Sequence, residues 1–219
     1  MDFYVDEDNT TWGTTNSDWV DRNVSIGGGR IKTIKIKCLT LDAIMREYGV
    51  PRYCKIDIEG NDLDALKSLK KNVDLPKFVS IESEKISWNK LLEEFHIFHE
   101  LGYKKYKIVD QYFVNLHVCP NPSREGRYVD YKCQLGSSGL FGDELPGRWL
   151  DILEAIESYK RISRGYALNG DIGLFRGRSL FNLFGRIDVV IGRLRGSRNH
   201  VPSARVLPYP GWYDTHAML

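Results

Sequence analysis

Short segments of two alternating kinds run through the first half of the chain and constrain its fold more than any other feature. Alternating Ile and Lys in IKTIKIKCLTL (31–41) predict a strand with one buried face, and YCKIDIEG (53–60) and KFVSIESE (77–84) also have the period of two that strands show. Helical spacing follows each of them, at 41–48, after Gly60 and from Ser87 onward. Strand–helix alternation in such short units predicts right-handed crossovers and a parallel sheet.

The end of this pattern predicts a division into two parts. KKYKIVDQYFVNLHV (104–118) reads as two strands with a tight connection, a hairpin that adds an antiparallel strand at one sheet edge. Pro120 and Pro122 then open an irregular stretch rich in Gly, Pro and Ser. We therefore expect an α/β domain over 1–118 and an extension over 119–219 with one helix and an arginine-rich tail.

Composition is that of an ordinary globular protein and limits the partners. The 219 residues contain 31 basic and 29 acidic side chains, a net charge of +2 that gives no whole-chain argument for nucleic acid. The arginines 193, 195 and 198 suggest anion binding, but a solvated surface is the simpler interpretation. The acidic N-terminus does not resemble a signal peptide, and no apolar run approaches the about 20 residues that span a bilayer. We expect a cytoplasmic protein.

Carboxylates stand where two of the predicted strands end. Asp57 and Glu59 follow one strand, and Glu82 and Glu84 follow the next. Because ligands bind at the carboxyl ends of the strands in open parallel sheets, these side chains are candidates for one functional rim. Acidic residues are also common at helix starts, which accounts for Asp62 and Asp64. The spacing does not favour a metal site, so no metal ligand is assigned.

Several motifs in this order resemble the FkbM family of S-adenosylmethionine-dependent methyltransferases. They are TLDAI (40–44), KIDIEGND (55–62), FVSIESE (78–84) and ELGYK (100–104), with GSSGLFGDELPGRW (136–149) and GWYDTHA (211–217) similar to the tails of some members. The resemblance implies a class I methyltransferase fold, a Rossmann-like sheet with an antiparallel last strand. It also implies S-adenosylmethionine as cofactor and O-methyl transfer to a hydroxyl of a glycan or secondary metabolite.

The chain departs from this family in one respect. The family's donor-binding motif, D-x-G-A-N-x-G, is absent, and SIGGGRIKT (25–33) reads as a hairpin-type loop without the acid that holds the ribose. We therefore expect the C-terminal portion of a methyltransferase domain, with its first three strands absent, no assignable cofactor-binding residues and activity in doubt. An unpaired sheet edge would favour self-association. The alternative is a non-catalytic relic or glycan-binding module that keeps only the acceptor side.

Site roles follow from the motifs. The resemblance places Asp57 where it orients or deprotonates the acceptor hydroxyl, and positioning is the more plausible role for a carboxylate. Glu59 either contacts the acceptor or is structural, while Gly60 and Asp42 are structural. His216 is a candidate general base in an aromatic segment suited to a sugar ring. The predicted substrate-binding residues are Glu82, Glu84, Ser137, Ser138, Trp212 and Asp214.

Overall fold

The structure is a computed structural model and describes residues 1–25, 27–71, 74–169 and 212–219. The chain divides into two compact units, Met1–Lys77 and Phe78–Leu219. The division into an α/β domain and an extension, predicted after residue 118, stays a prediction. The cluster of arginines 193, 195 and 198 lies outside the described residues.

The first unit contains three strands and three α-helices among its described residues. They are β1 (Asp2–Asp6), α1 (Ser17–Ser25), β2 (Ile31–Lys35), α2 (Leu41–Tyr48), β3 (Tyr53–Ile56) and α3 (Asp62–Ser68). β1 and β2 pair antiparallel, from Asp2 opposite Lys35 to Asp6 opposite Ile31. The buried face predicted for the Ile/Lys strand is wrong, since Ile34 keeps 39% of its surface exposed and β1 is the one strand that pairs with β2 in the described part of the chain.

Local signals located α2 correctly and missed α1. Thr40 precedes α2 and Gly49 follows it with a φ of +91°, as the sequence predicted. No helix was predicted for the polar segment that contains α1. It forms a helix because the Asn16 side chain accepts a hydrogen bond from the Asp18 amide, which satisfies a donor that the first turn leaves without a partner.

The second unit is built on a mixed sheet. Its described elements are β4 (Phe78–Glu82), α4 (Trp88–Glu100), β5 (Lys105–Asp110), α5 (Ile152–Asn169) and β6 (Tyr213–Met218). β6 lies between β4 and β5 and is antiparallel to both, so β4 and β5 run in the same direction. The protein is therefore of the mixed α/β class.

The predicted closing hairpin is wrong, although an antiparallel last strand exists. Residues Gln111–Leu116 form a 3-10 helix, begun by the Asp110 carboxylate, which accepts a hydrogen bond from the Tyr112 amide. This 3-10 helix buries both Gln111 and Val114, which are three positions apart. In a strand, residues three positions apart would point to opposite faces of the sheet. The antiparallel strand comes instead from β6, and it lies inside the sheet rather than at its edge.

The two faces of this sheet differ in how they are covered. On one face, Phe95 of α4 makes edge-to-face contacts with Tyr106 of β5 and Tyr159 of α5. On the other, Phe78 stacks on Trp149 with ring centroids 5.9 Å apart. The segment before α5 therefore forms a lid over the second face. No helix within the described ranges is long and apolar enough to cross a membrane.

Candidate active site

Asp57 lies directly after β3, where the chain leaves the strand. Its side chain is 45% exposed and its Oδ2 is 3.3 Å from the Nζ of Lys55, which is largely buried. The two residues are separated by one position, so they project from the same side of the extended chain. Asp57 is thus an accessible carboxylate at a strand end, with a cation beside it.

The loop between β3 and α3, called the Asp57 loop, is held by the side chains of Asp62 and Thr14. The carboxylate of Asp62 accepts hydrogen bonds from the amides of Ile58 and Gly60, each at 3.0 Å. The hydroxyl of Thr14 donates to the carbonyl of Glu59 at 2.6 Å. These three bonds fix the backbone between Asp57 and α3.

The backbone of this loop is in an unusual conformation. Glu59 has a φ of +52°, the one positive value for a non-glycine residue in the described part of the chain. Left-handed backbone at a residue with a Cβ costs about 1–2 kcal/mol, and such strain concentrates at functional sites. Gly60 has a φ of +105°, and a Cβ there would come within 2.7 Å of the Trp19 indole. The predicted structural importance of Gly60 therefore has a specific geometric basis in this loop.

Sequence reasoning underestimated Asp62. It was assigned to the start of α3, yet its carboxylate organises the preceding loop as well. Burial raises the pKa of Asp62, the two amide hydrogen bonds oppose that shift, and the negative charge of Asp57 adds to it. Asp64 is exposed and lies 3.8 Å from Lys67, as expected of an ordinary helix-surface residue. Thr14 and Trp19 carry no signal in the local sequence, because their roles come from long-range contacts.

In the second unit, β6 brings several predicted site residues onto one face of the sheet. His216 lies opposite Ser80 of β4 and Lys107 of β5, and Asp214 lies opposite Glu82. Directly opposed residues of antiparallel strands have Cβ atoms about 4.5–5.5 Å apart. His216, Asp214 and Glu82 thus share a face, as a functional rim would require.

This face is covered by the segment that contains Leu145 and Trp149 and is not open to solvent. His216 is 1% exposed and Asp214 is fully buried. Lys107 donates from Nζ to the carbonyl of Leu145 at 2.7 Å and lies 4.5 Å from the centre of the Trp149 ring. His216 therefore belongs to a packed central strand, and its role as general base stays a prediction.

Lys107 is a further ionisable group on this face, and no sequence motif marks it. Burial lowers its pKa to about 8, although the nearby charge of Asp143 acts in the opposite direction and that of Arg124 in the same one. The other lysine of β5, Lys105, is exposed, so the burial of Lys107 follows from the segment that covers this face and not from a local pattern.

Most other predicted substrate-binding residues are engaged in local contacts. Glu82 pairs with Lys85 at 3.0 Å, and Glu84 accepts hydrogen bonds from the amides of Lys85 and Ile86 at 2.8 and 2.7 Å. Ser137 donates to the carbonyl of Gln134 at 2.8 Å within its own turn. These contacts are structural, and the substrate roles of Glu82, Glu84 and Ser137 stay predictions.

The remaining three predicted residues differ in their exposure. Ser138 is exposed, and Trp212 keeps 39% of its surface exposed while its carbonyl accepts a hydrogen bond from Gln111. Asp42 is buried in α2 and pairs with Arg46 one helical turn later. The position of Asp42 suits the structural role predicted for it.

The glycine-rich segment, where the sequence offered no donor-binding motif, is filled by the protein's own side chains and backbone. The glycine-rich segment links α1 to β2 and is packed against the protein itself. A Cβ on Gly28 would lie 2.7 Å from the Asn23 carbonyl oxygen, and one on Gly29 would lie 2.1 Å from the Asp8 carboxylate. The strand-end acid Asp6 accepts hydrogen bonds from three backbone amides, including that of Gly29. Across the described ranges, no group of three or more potential ligands is arranged to hold a metal ion.

The first part of the chain matches the model of a known protein family. The family model for the methyltransferase FkbM domain matches residues 1–105. This segment is similar to the methyltransferase FkbM domain, and the match covers slightly less than half of the 219 residues. It includes the Asp57 loop, β4 and α4. No curated protein matches the chain, and no solved structure does. The FkbM match ends at Lys105, so the resemblance of the later segments to family tails stays a prediction.

Proposed function

We propose that this chain serves S-adenosylmethionine-dependent O-methyl transfer to a hydroxyl group of a glycan or secondary metabolite. The Asp57 loop carries the proposal: an accessible carboxylate at a strand end, within the FkbM domain, on a backbone that Thr14 and Asp62 hold in a strained conformation. Strain of this kind persists only where the surrounding structure imposes it, and it is commonest at functional sites.

In this proposal Asp57 is a positioning group. Its carboxylate accepts a hydrogen bond from the acceptor hydroxyl and so directs an oxygen lone pair toward the incoming methyl group. A carboxylate is a weak base toward an alcohol, so correct orientation contributes more than full proton removal. Lys55, 3.3 Å away, limits the directions in which the Asp57 side chain can point.

S-adenosylmethionine, when bound, supplies the electrophilic methyl group. Because the glycine-rich segment of this chain is closed against Asn23, Asp6 and Asp8, we propose that the chain does not hold the donor by itself. The same observation supports a second candidate function, a glycan-binding module that performs no transfer. Both candidates place the acceptor at Asp57, and they differ only in whether the donor is ever bound.

Acceptor binding can be measured without the donor. We expect saturation-transfer NMR with the full chain to detect at least one compound in a panel of methyl hexosides. Replacement Asp57→Asn keeps the shape of the side chain and removes its charge, and it should weaken binding about tenfold, the value of a hydrogen bond to a charged group.

Replacement Asp64→Asn is the matched control, because Asp64 is an exposed acid on the next helix and lies 3.8 Å from Lys67. It should leave saturation transfer unchanged. Equal effects of the two replacements, or no binding by any hexoside in the panel, would contradict an acceptor site at Asp57.

A further inference from the structure

A cleft of about 660 Å³ lies in the second unit, between the segment after β4 and one face of α5. Clefts of about 300–1,000 Å³ are typical for small organic ligands. The cleft lining includes Lys85, Trp88, Lys160, Ser163, Arg164 and Tyr166. No role in methyl transfer was assigned to any of them.

The lining of this cleft is electropositive. Three cations contribute to it, and no carboxylate is present among its described lining residues. Lys85 has Glu82 at 3.0 Å and Lys160 has Glu157 at 2.8 Å, which neutralises part of their charge. Arg164 lies one helical turn beyond Lys160, on the same side of α5. The guanidinium of arginine forms paired hydrogen bonds with phosphate and carboxylate groups.

The cleft also has aromatic walls in fixed positions. The ring centre of the buried Tyr166 is 5.8 Å from the Nζ of Lys85, within the range of a cation–π contact. The Ser163 hydroxyl donates to the carbonyl of Lys85 at 2.6 Å and ties α5 to the segment after β4. Trp88, the first residue of α4, is half-buried beside them and exposes part of its indole to the cleft.

We propose that this cleft binds a sugar that carries an anionic group, either a phosphate or a carboxylate. Arg164 and Lys160 contact the anion, and Trp88 packs against the apolar face of the sugar ring. The volume is larger than inorganic phosphate alone requires, and an aromatic wall next to cations suits a ligand that is both a ring and an anion. This proposal goes beyond the proposed function, because it assigns a ligand to residues that have no role in the proposed methyl transfer.

Isothermal titration of the full chain with four probes tests the ligand chemistry. Glucose 6-phosphate and glucuronate should bind, while glucose and inorganic phosphate should each bind at least about tenfold more weakly, since each lacks one half of the recognised group. Binding by only one of the two anionic sugars supports the proposal and identifies the anion. Glucose binding as tightly as both anionic sugars, or no binding by either of them, would overturn it.

Two arginines of α5 offer a matched pair of variants. Arg164→Gln should weaken binding of the preferred anionic sugar about tenfold, whereas Arg161→Gln, on the same helix but outside the cleft lining, should change it less than about twofold. Circular dichroism checks that both variants keep the helix. Equal weakening by the two replacements would show that only the general positive charge of α5 matters and would refute a specific cleft.

Discussion

Replacing Gly60 by alanine tests the geometry of the Asp57 loop most sharply. Gly60 has a φ of +105°, where a Cβ is unfavourable, and a Cβ would also lie 2.7 Å from the Trp19 indole. Gly49→Ala is the matched control. Gly49 has a φ of +91°, but no described atom lies within 4 Å of the position its Cβ would take. The pair of variants therefore separates backbone strain from steric crowding.

The two contributions can be estimated separately. Strain at a positive φ costs about 1–2 kcal/mol, and the smaller conformational freedom of alanine in the unfolded chain returns about 0.4–1 kcal/mol. Gly49→Ala should thus lower the free energy of unfolding by about 1 kcal/mol. Gly60→Ala adds the cost of overpacking, about 1–3 kcal/mol, for a total loss of about 2–4 kcal/mol.

Urea unfolding followed by tryptophan fluorescence measures both losses. Because Trp19 must shift to admit the new methyl group, Gly60→Ala should also weaken acceptor binding at Asp57, and Gly49→Ala should not. Equal losses of stability in the two variants would refute the close approach of Gly60 to Trp19, and with it the account of how this loop is held.

Three further predictions concern the rest of the molecule. Tyr159→Phe removes the hydroxyl that lies 2.8 Å from the Thr215 hydroxyl on the buried face of the sheet. In urea unfolding it should lower the free energy of unfolding by about 1–2 kcal/mol. Tyr48→Phe, at an exposed position, should not change the free energy of unfolding measurably. Burial lowers the pKa of Lys107 to about 8 from 10.5, so between these pH values the unfolded chain binds more protons and stability should rise with pH; Lys107→Met should abolish that rise, and an unchanged pH profile would contradict the burial. The outer edge of β2 has no strand partner among the described residues, so sedimentation velocity should show association that increases with concentration, and a monomer at every concentration would count against it.

Elements whose signals are local were predictable from the sequence. α4 begins after Ser87, whose hydroxyl accepts a hydrogen bond from the Lys90 amide, and ends before Gly102 with its φ of +93°, as capping preferences indicate. Asp57 and Gly60 were predicted for a similar reason, because residues adjacent in the sequence indicate the turn from strand to helix.

Elements that depend on distant contacts were not predictable. β6 pairs with β4 and β5 across more than a hundred residues of chain, and both of its faces are covered. Its Asp214, Thr215 and His216 are all polar, so no alternation marks it as a strand. The hydrogen bond that Thr14 donates to the carbonyl of Glu59 likewise forms only when the first unit is folded.

Calorimetric titration of the full chain with S-adenosylmethionine tests the central claim most directly. That claim is that this chain serves the acceptor and does not hold the donor by itself, because the glycine-rich segment is closed by Asp6, Asp8 and Asn23. We predict no measurable binding, with any dissociation constant above about 1 mM. A dissociation constant in the micromolar range would contradict the claim and show that this chain holds the methyl donor by itself.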